Sequence, residues 1–396
     1  MADTLKRRIG PGLLTAYGVG IMVGAGIYVL TGAAAGAAGI WAPLSFALAA
    51  IVAVPTALSF AELAARIPEA AGDSSYVEMG LRRHWLAMAV GAVNVIAGIV
   101  AAAAVLRGGV GYLVSIVDMP FAWGVVGLGA AMTVIAVVGV LESLAFAAAM
   151  TVIEVIGLTL VIGAGFAAAP VAEWVAPPAP EWSGVAAATI FAFFAFIGFD
   201  DMVNIAEETH APGRTMPRAI LGALAITGLL YMLVSLAAVR AVPREVLGAS
   251  ERPLALVWEA GAGTSAAFLA AIAVAAALNG VLAQIVMAAR VLFGLGKRSP
   301  GFAVFRAAHP RFGTPVLGTV VIGACVTASA LTLPVAVLAE ITTQALLIVF
   351  AIVNAALIGL KRRVPDGPFV VPMAVPVLGI VTCALTFMAS FLGGGG

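Results

Sequence analysis

Two groups of residues in this sequence could do chemistry in an apolar setting. The first is a glycine run. Gly18, Gly20, Gly24 and Gly26 fall within nine residues of the stretch Gly18-Val19-Gly20-Ile21-Met22-Val23-Gly24-Ala25-Gly26-Ile27-Tyr28. Each glycine costs a helix about 0.5–1 kcal/mol relative to alanine, so a continuous helix is disfavoured there. Where no water is present, a break is tolerated only if the freed N–H and C=O groups line a cavity or meet a ligand. Gly20 and Gly24 also form GxxxG, so a close helix–helix packing face is the competing reading. A nucleotide-binding glycine loop does not fit, because no strand precedes the run. The second group is acidic. Glu154 sits inside Thr151-Val-Ile-Glu-Val-Ile-Gly157, and Asp200 and Asp201 follow the apolar run Ile190–Phe199. A carboxylate at membrane depth costs about 2.5–3.5 kcal/mol or more, which makes it functional by default. It could exchange a proton or coordinate sodium, and a structural pairing with a basic or hydroxyl partner is the alternative.

The elements that must position these residues follow from composition. The chain has 396 residues, 63% hydrophobic and 10% charged. Soluble domains carry about 25% charged residues, so this is a polytopic, all-α membrane protein. The net charge of +1 gives no basic stripe for nucleic acid. Cys325 and Cys383 lie far apart in apolar segments, with neither a CxxC motif nor a disulfide framework. The first apolar segment is too long for a signal-peptide core and is expected to remain as a helix. With about 20 apolar residues needed per crossing, eleven spans are predicted: 11–35, 41–66, 86–114, 121–141, 144–168, 185–207, 218–239, 265–293, 315–333, 336–360 and 370–392.

Lysine and arginine set the expected orientation. With a cytoplasmic N-terminus, the inside set is Lys6, Arg7, Arg8, Arg66, Arg82, Arg83, Arg214, Arg218, Lys297, Arg298, Arg306, Arg311, Lys361, Arg362 and Arg363, against Arg240, Arg244 and Arg252 outside. The loop Ala169–Ser183 has two glutamates, four prolines and no basic residue, which suits the outer face. The tail Gly393–Gly396 then falls outside. The expected location is the cell (inner) membrane.

The sixth span carries a second interruption, Phe193-Phe194-Ala195-Phe196-Ile197-Gly198-Phe199-Asp200-Asp201. Asp200 and Asp201 lie about ten residues before the turn Ala211-Pro212-Gly213, too early for an ordinary solvated loop. Broken helices in corresponding positions of two halves point to a transporter site near the bilayer midplane. Five spans separate the two breaks, so the halves would have opposite topology.

These motifs, with Ser59-Phe-Ala-Glu-Leu-Ala-Ala-Arg-Ile-Pro68, Ala206-Glu-Glu208, Pro217-Arg-Ala-Ile220, Ala289-Arg-Val-Leu-Phe293 and Phe312-Gly-Thr-Pro315, resemble the amino acid–polyamine–organocation (APC) permeases. Within that superfamily the likeness is to the cationic-amino-acid-transporter-like branch. It covers nearly the whole chain. It implies a five-plus-five inverted repeat with alternating access. Residues 1–10 form the cytoplasmic N-terminus, 11–168 the first repeat (spans 1–5), 169–184 an outer loop, 185–360 the second repeat (spans 6–10) and 361–396 an accessory span and tail. Many relatives have twelve spans, one more than here.

The resemblance also implies a site. Half-helix N-termini suit a carboxylate and half-helix C-termini an ammonium group. The substrate carboxylate would meet N–H groups of Gly24, Ala25 and Gly26, and the ammonium the carbonyls of Met22, Phe194 and Ile197. Relatives often have serine or threonine at Ala25, so backbone contact alone is expected. Phe194 would help close the site from outside. Asp200, at the start of the inner half of the broken sixth span, is read from its position as gating the inner path or attracting cationic substrates. Glu154 falls where some proton-coupled relatives carry a lysine, beside the ion site of sodium-coupled ones. It is assigned to ion coupling, with a proton favoured over sodium. No cofactor and no metal are expected.

The function expected is secondary transport of amino acids, proton-coupled, with a small or medium neutral substrate favoured by Ala101–Ala104 and the apolar lining. An obligate exchanger is the alternative, and an amino-acid-sensing receptor the alternative of another class. An enzyme is poorly supported: His84, His210 and His309 lie in predicted inner loops without metal spacing. Arg107 in the third span is read as snorkelling outward, the alternative being a charge near the site that disfavours lysine or arginine as substrates and favours acidic ones. Glu62, Arg66 and Arg290 are read as pairing with loop charges. Glu340, Asn94, Asn279, Gln284 and Asn354 are read as inter-helix hydrogen bonds. Oligomeric state is not legible.

Overall fold

A computed structural model describes residues 9–68, 72–139 and 144–393. Lys6, Arg7 and Arg8, Glu142 and Ser143, and the last three glycines of the tail lie outside the described residues. In chain order the helices are α1 (Pro11–Val23), α2 (Ala25–Ala38), α3 (Ala42–Arg66), α4 (Gly72–Leu81), α5 (His84–Val114), α6 (Phe121–Val138), α7 (Leu144–Ala167), α8 (Ala172–Val175) and α9 (Trp182–Phe196). There follow α10 (Pro212–Ala241), α11 (Arg244–Gly248), α12 (Pro253–Ala262), α13 (Ala267–Arg298), α14 (Val316–Thr332), α15 (Val335–Arg363) and α16 (Ala374–Gly393). Among the described residues the β structure is one isolated bridge, Ile9 to Thr209.

Nine helical stretches among these residues are long and apolar enough to cross a membrane. One of them, Gly26–Arg66, turns through the 3-10 segment Gly39–Trp41 and contributes both α2 and α3. The shorter apolar helices Pro11–Val23 and Val316–Thr332 complete the set, so every predicted segment coincides with helix. Proline opens several of these helices, where its missing N–H would have had no intrahelical partner; Pro11, Pro212 and Pro253 stand at such starts.

Two packed groups make up the interior. One gathers residues of α1, α3, α9, α10 and α15 around Phe46, Phe60, Phe196 and Tyr231. The other gathers α5, α6, α13 and α14 around Ala101–Ala104, Val281 and Val326. Helix α5 runs along α13, α3 along α10, and α16 lies on α15 and α3. Phe60 packs edge-on to Tyr76, Phe199 and Phe350, with ring centroids 5.5–6.3 Å apart.

The interhelical ties sort the connections onto two faces. On the face of Ile9, Ile9 N–H donates to the Glu208 carbonyl and His210 N–H to that of Ile9. There Arg298 pairs with Glu78, and Arg363 donates to the carbonyls of Met79 and Gly80. Glu62 is fully buried: Lys361 Nζ donates to both its oxygens (2.9 and 2.7 Å), Arg66 Nε donates at 2.8 Å and Val371 N–H at 2.8 Å. Arg66 also donates to the carbonyls of Val364, Pro365 and Asp366. Glu62 thus pairs, as expected, with a charge beyond the predicted tenth span, Lys361, which the structure places in the last turn of α15, while Arg66 pairs with Glu62 and donates to loop backbone. The opposite face carries the Arg252–Glu259 pair and the bonds from Trp41 to Pro178 and from Val171 to Arg240. Helices α4, α8, α11 and α12 stand where the sequence suggested plain loops. With four to ten residues each, they are too short to register as apolar runs.

Candidate functional site

The first span breaks at Gly24. Its φ of −30° and ψ of −171° put one non-helical residue between the last turn of α1 and the first turn of α2. No side chain caps α2. The N–H groups of its first turn, from Ala25 and Gly26 onward, therefore belong to the four that a helix start leaves without intrahelical partners. A methyl group at Gly26 would stand 3.5 Å from Ala195 Cα and 3.7 Å from the Phe194 ring, so α2 begins directly against α9.

The sixth span breaks beside it. Helix α9 ends at Phe196, Ile197 turns to extended geometry, and Gly198 has φ of +124°, a region that excludes residues with a β-carbon. A β-carbon there would also press on the Ile21 side chain and stand 3.4 Å from its carbonyl, so the two breaks cross in contact. Beyond, Asp201–Glu208 winds as a 3-10 helix. Asp200 is buried, and its Oδ1 accepts the Gly198 N–H at 3.0 Å.

Of the residues predicted to form the site, Gly24, Gly26, Phe194 and Ile197 come together at this crossing. Ala25 lies in the same turn by its backbone. Phe194 is buried between α9 and the second packed group, and its carbonyl accepts the Ile197 N–H at 3.1 Å. The Met22 carbonyl accepts a hydrogen bond from Tyr231 on α10, whose hydroxyl also lies 3.1 Å from the Ala195 carbonyl. Glu154, 3% exposed, lies on α7, which packs against α1 where Gly20 meets Thr151. Its Oε2 is buried without a hydrogen-bond partner. Tyr28 on α2 donates its hydroxyl to the Glu154 carbonyl at 3.2 Å.

A cavity of ≈ 440 Å³ runs from Ile197 to the face of Ile9. Asp73, Asp200, Asp201, Asn94 and Asn204 line it, with Gln284, Arg290 and Arg298 contributed by α13. Asn94 Nδ2 donates to Asp73 at 2.8 Å. Burial and the nearby Asp200 charge push the Asp73 carboxyl up to about 7, opposed by that hydrogen bond. Arg290 lines this cavity. Arg107 does not snorkel: it donates to the Ala330 carbonyl at 2.8 Å and lies over the Phe121 ring. Asn354 bonds Thr56 across helices, as expected, while Glu340 accepts from Gln344 of its own helix. Ala101 borders the cavity, whereas Ala102–Ala104 are packed away. Both cysteines are free, and no cluster of metal-ligating side chains occurs among the described residues.

Sequence reasoning missed Tyr28, Tyr231 and Asp73. A lone tyrosine in an apolar run gives no sign of which carbonyl it will reach. Asp73, by contrast, stands in a polar stretch that read as a loop.

The family model for amino acid permeases matches residues 13–396 of the chain. The chain belongs to that family. This permease is 30% identical to an uncharacterized transporter of Mycobacterium tuberculosis, over 98% of this chain and 87% of the relative. It is 28% identical to the branched-chain amino acid permease of Bacillus subtilis, over 96% and 87%. Against the human cationic amino acid transporter 4 the identity is 30%, over 93% of the permease and 62% of the relative. It is accordingly a multi-pass APC-superfamily transporter and not an enzyme.

Proposed function

We propose that this permease moves amino acids across the cell (inner) membrane by alternating access, with its N-terminus in the cytoplasm and a proton as coupling ion. The observation that carries the reading is the crossing of the two breaks, where an unfilled helix start and two helix ends meet in one place. The N–H groups of Gly24, Ala25 and Gly26 take the substrate carboxylate. The carbonyls of Met22, Phe194 and Ile197 take the ammonium; those of Met22 and Phe194 each have a second lone pair beyond the bond they already accept. Phe194 closes the site on one side. Asp200 gates the other, where the cavity leads to the face with the basic loops. Residues 11–168 and 185–360 act as the two inverted repeats, and the segment from 361 onward is accessory.

Glu154 supports proton coupling, because a buried carboxylate with an unpartnered oxygen beside the first break can change its proton occupancy as the helices move. Sodium is the less favoured ion. A small or medium neutral side chain is the favoured substrate, in keeping with the branched-chain amino acids for which the Bacillus subtilis relative is named.

A thermal-shift screen of the purified protein against the twenty amino acids tests the reading, since a ligand of the folded state raises apparent stability. Substrates will stabilise it; no shift with any amino acid would remove the basis for the site. Uptake into proteoliposomes under an imposed pH gradient then separates symport from exchange, because an exchanger gives counterflow without net uptake. A sensor would bind and do neither.

A further inference from the structure

The face opposite the cavity is closed by the segment holding α11 and α12, which lies across α2. A β-carbon at Gly36 would stand 3.1 Å from Gly248 Cα, and one at Gly32 would press on the Leu247 carbonyl, so this seam is nearly backbone on backbone. Among the described residues no hydrogen bond joins α2 to Leu247 or Gly248 across this seam. The directional bonds come from α5. Tyr112 is fully buried near the end of that helix, and its hydroxyl donates to the Tyr28 carbonyl at 2.7 Å. The same oxygen accepts the N–H of Leu254, in the first turn of α12, at 3.3 Å. One phenol oxygen therefore holds the covering segment, the outer half of the broken first span and α5 together. The Tyr28 and Tyr112 rings meet edge-on at 6.2 Å. About a turn away, Arg107 donates to the Ala330 carbonyl on α14 at 2.8 Å, while its other nitrogen stands 4.0 Å from Glu251 of the covering segment.

We propose that Tyr112 is a positioning residue that latches the covering segment shut, with Arg107 and Glu251 as its outer reinforcement. The proposal rests on the alternating-access reading given above. Opening of this face separates α2 and α12 from α5, which lets water reach the Leu254 N–H and the tyrosine hydroxyl. In the closed form both are dry, and a dry N–H left without its acceptor is penalised. Removing the hydroxyl therefore acts on the closed form and leaves the open form nearly untouched. Because Tyr28 lies in the first turns of α2, four residues beyond the break at Gly24, the latch also fixes the N–H groups that face the substrate.

The test uses Val29→Cys, a position 8% exposed and packed over Gly108 of α5. The background is Cys325→Ser, which removes the exposed native thiol and leaves the buried Cys383. In lipid nanodiscs, the rate of labelling of Val29→Cys by a charged maleimide reports how often α2 parts from α5. Tyr112→Phe is expected to raise that rate about ten-fold, the equivalent of roughly 1.4 kcal/mol. Glu251→Gln, at a side chain 51% exposed, is expected to raise it by a smaller factor. Should Tyr112→Phe fail to fold, the Glu251→Gln rate decides. Unchanged labelling in the folded variants overturns the latch, even if Tyr112→Phe lowers the melting temperature. Faster labelling supports it, including in a protein that shows no shift with any amino acid, where the transport reading would fail and the latch stand.

Discussion

The hydroxyl of Tyr231 reaches the carbonyl of Met22 at the end of α1 and lies 3.1 Å from that of Ala195 near the end of α9. A single side chain on α10 thus bridges the two broken spans. Both carbonyls are ones that helix ends leave without intrahelical donors or nearly so. Replacing Tyr231 by phenylalanine keeps the ring, which packs on Phe46 and Phe196, and removes the bridge. The variant should lose about 1–3 kcal/mol of stability and bind amino acids more weakly. Thermal unfolding with and without substrate checks both.

Glu154→Gln keeps the shape of the side chain and removes its proton chemistry. Uptake driven by a pH gradient into proteoliposomes should be abolished while the substrate-induced thermal shift persists. Unchanged pH dependence would sink the assignment of Glu154 to coupling.

Gly26→Ala tests the N–H turn. The added methyl makes ordinary contact with Ala195 and Phe194, so the melting temperature without ligand should hardly change. The methyl stands where the substrate must approach backbone, and affinity should fall by at least about ten-fold, the equivalent of roughly 1.4 kcal/mol. Titration calorimetry with the best amino acid from the screen measures it.

Asp73 lies outside the crossing helices, and its carboxyl is raised from the ordinary 3.8 to about 7, mainly by burial. It binds its proton more tightly folded than unfolded. Its contribution to stability is therefore full below about pH 4 and lost as the pH rises to about 7. Asp73→Asn should flatten the dependence of melting temperature on pH across that window.

Lys361→Met leaves the buried Glu62 carboxylate with Arg66 alone among cations. Losing one partner of a buried pair costs about 3–5 kcal/mol. The double variant Glu62→Gln/Lys361→Met removes both charges and should recover much of that loss, as measured by thermal unfolding.

The crossing helices were legible because an apolar run of span length is a strong and local signal. The breaks were legible because Gly24 and Gly198 leave a mark wherever they interrupt such a run. The covering helices α11 and α12 were not, since they are short and mix Arg244, Glu245 and Glu259 with apolar residues. Tyr112, Tyr231 and Asp73 escaped because their roles arise from tertiary meetings. Arg107 was misread for a related reason: the Ala330 carbonyl that holds it lies 223 positions away in sequence.

The Glu62 network has a consequence for how the chain is made. Glu62 ends the third helix, yet its lysine partner comes 299 residues later. During synthesis this carboxylate must stay at the water boundary while the helices from α5 to α14 are threaded into the bilayer. Arg66, one turn on in the same helix, is present from the start, but only when α15 arrives does the lysine complete the pairing, and only when Val371 follows is the last lone pair engaged. Sealing of this face is therefore among the last events of assembly, and a nascent chain that stalls before residue 361 carries a wet, unsealed face that quality-control proteases can recognise.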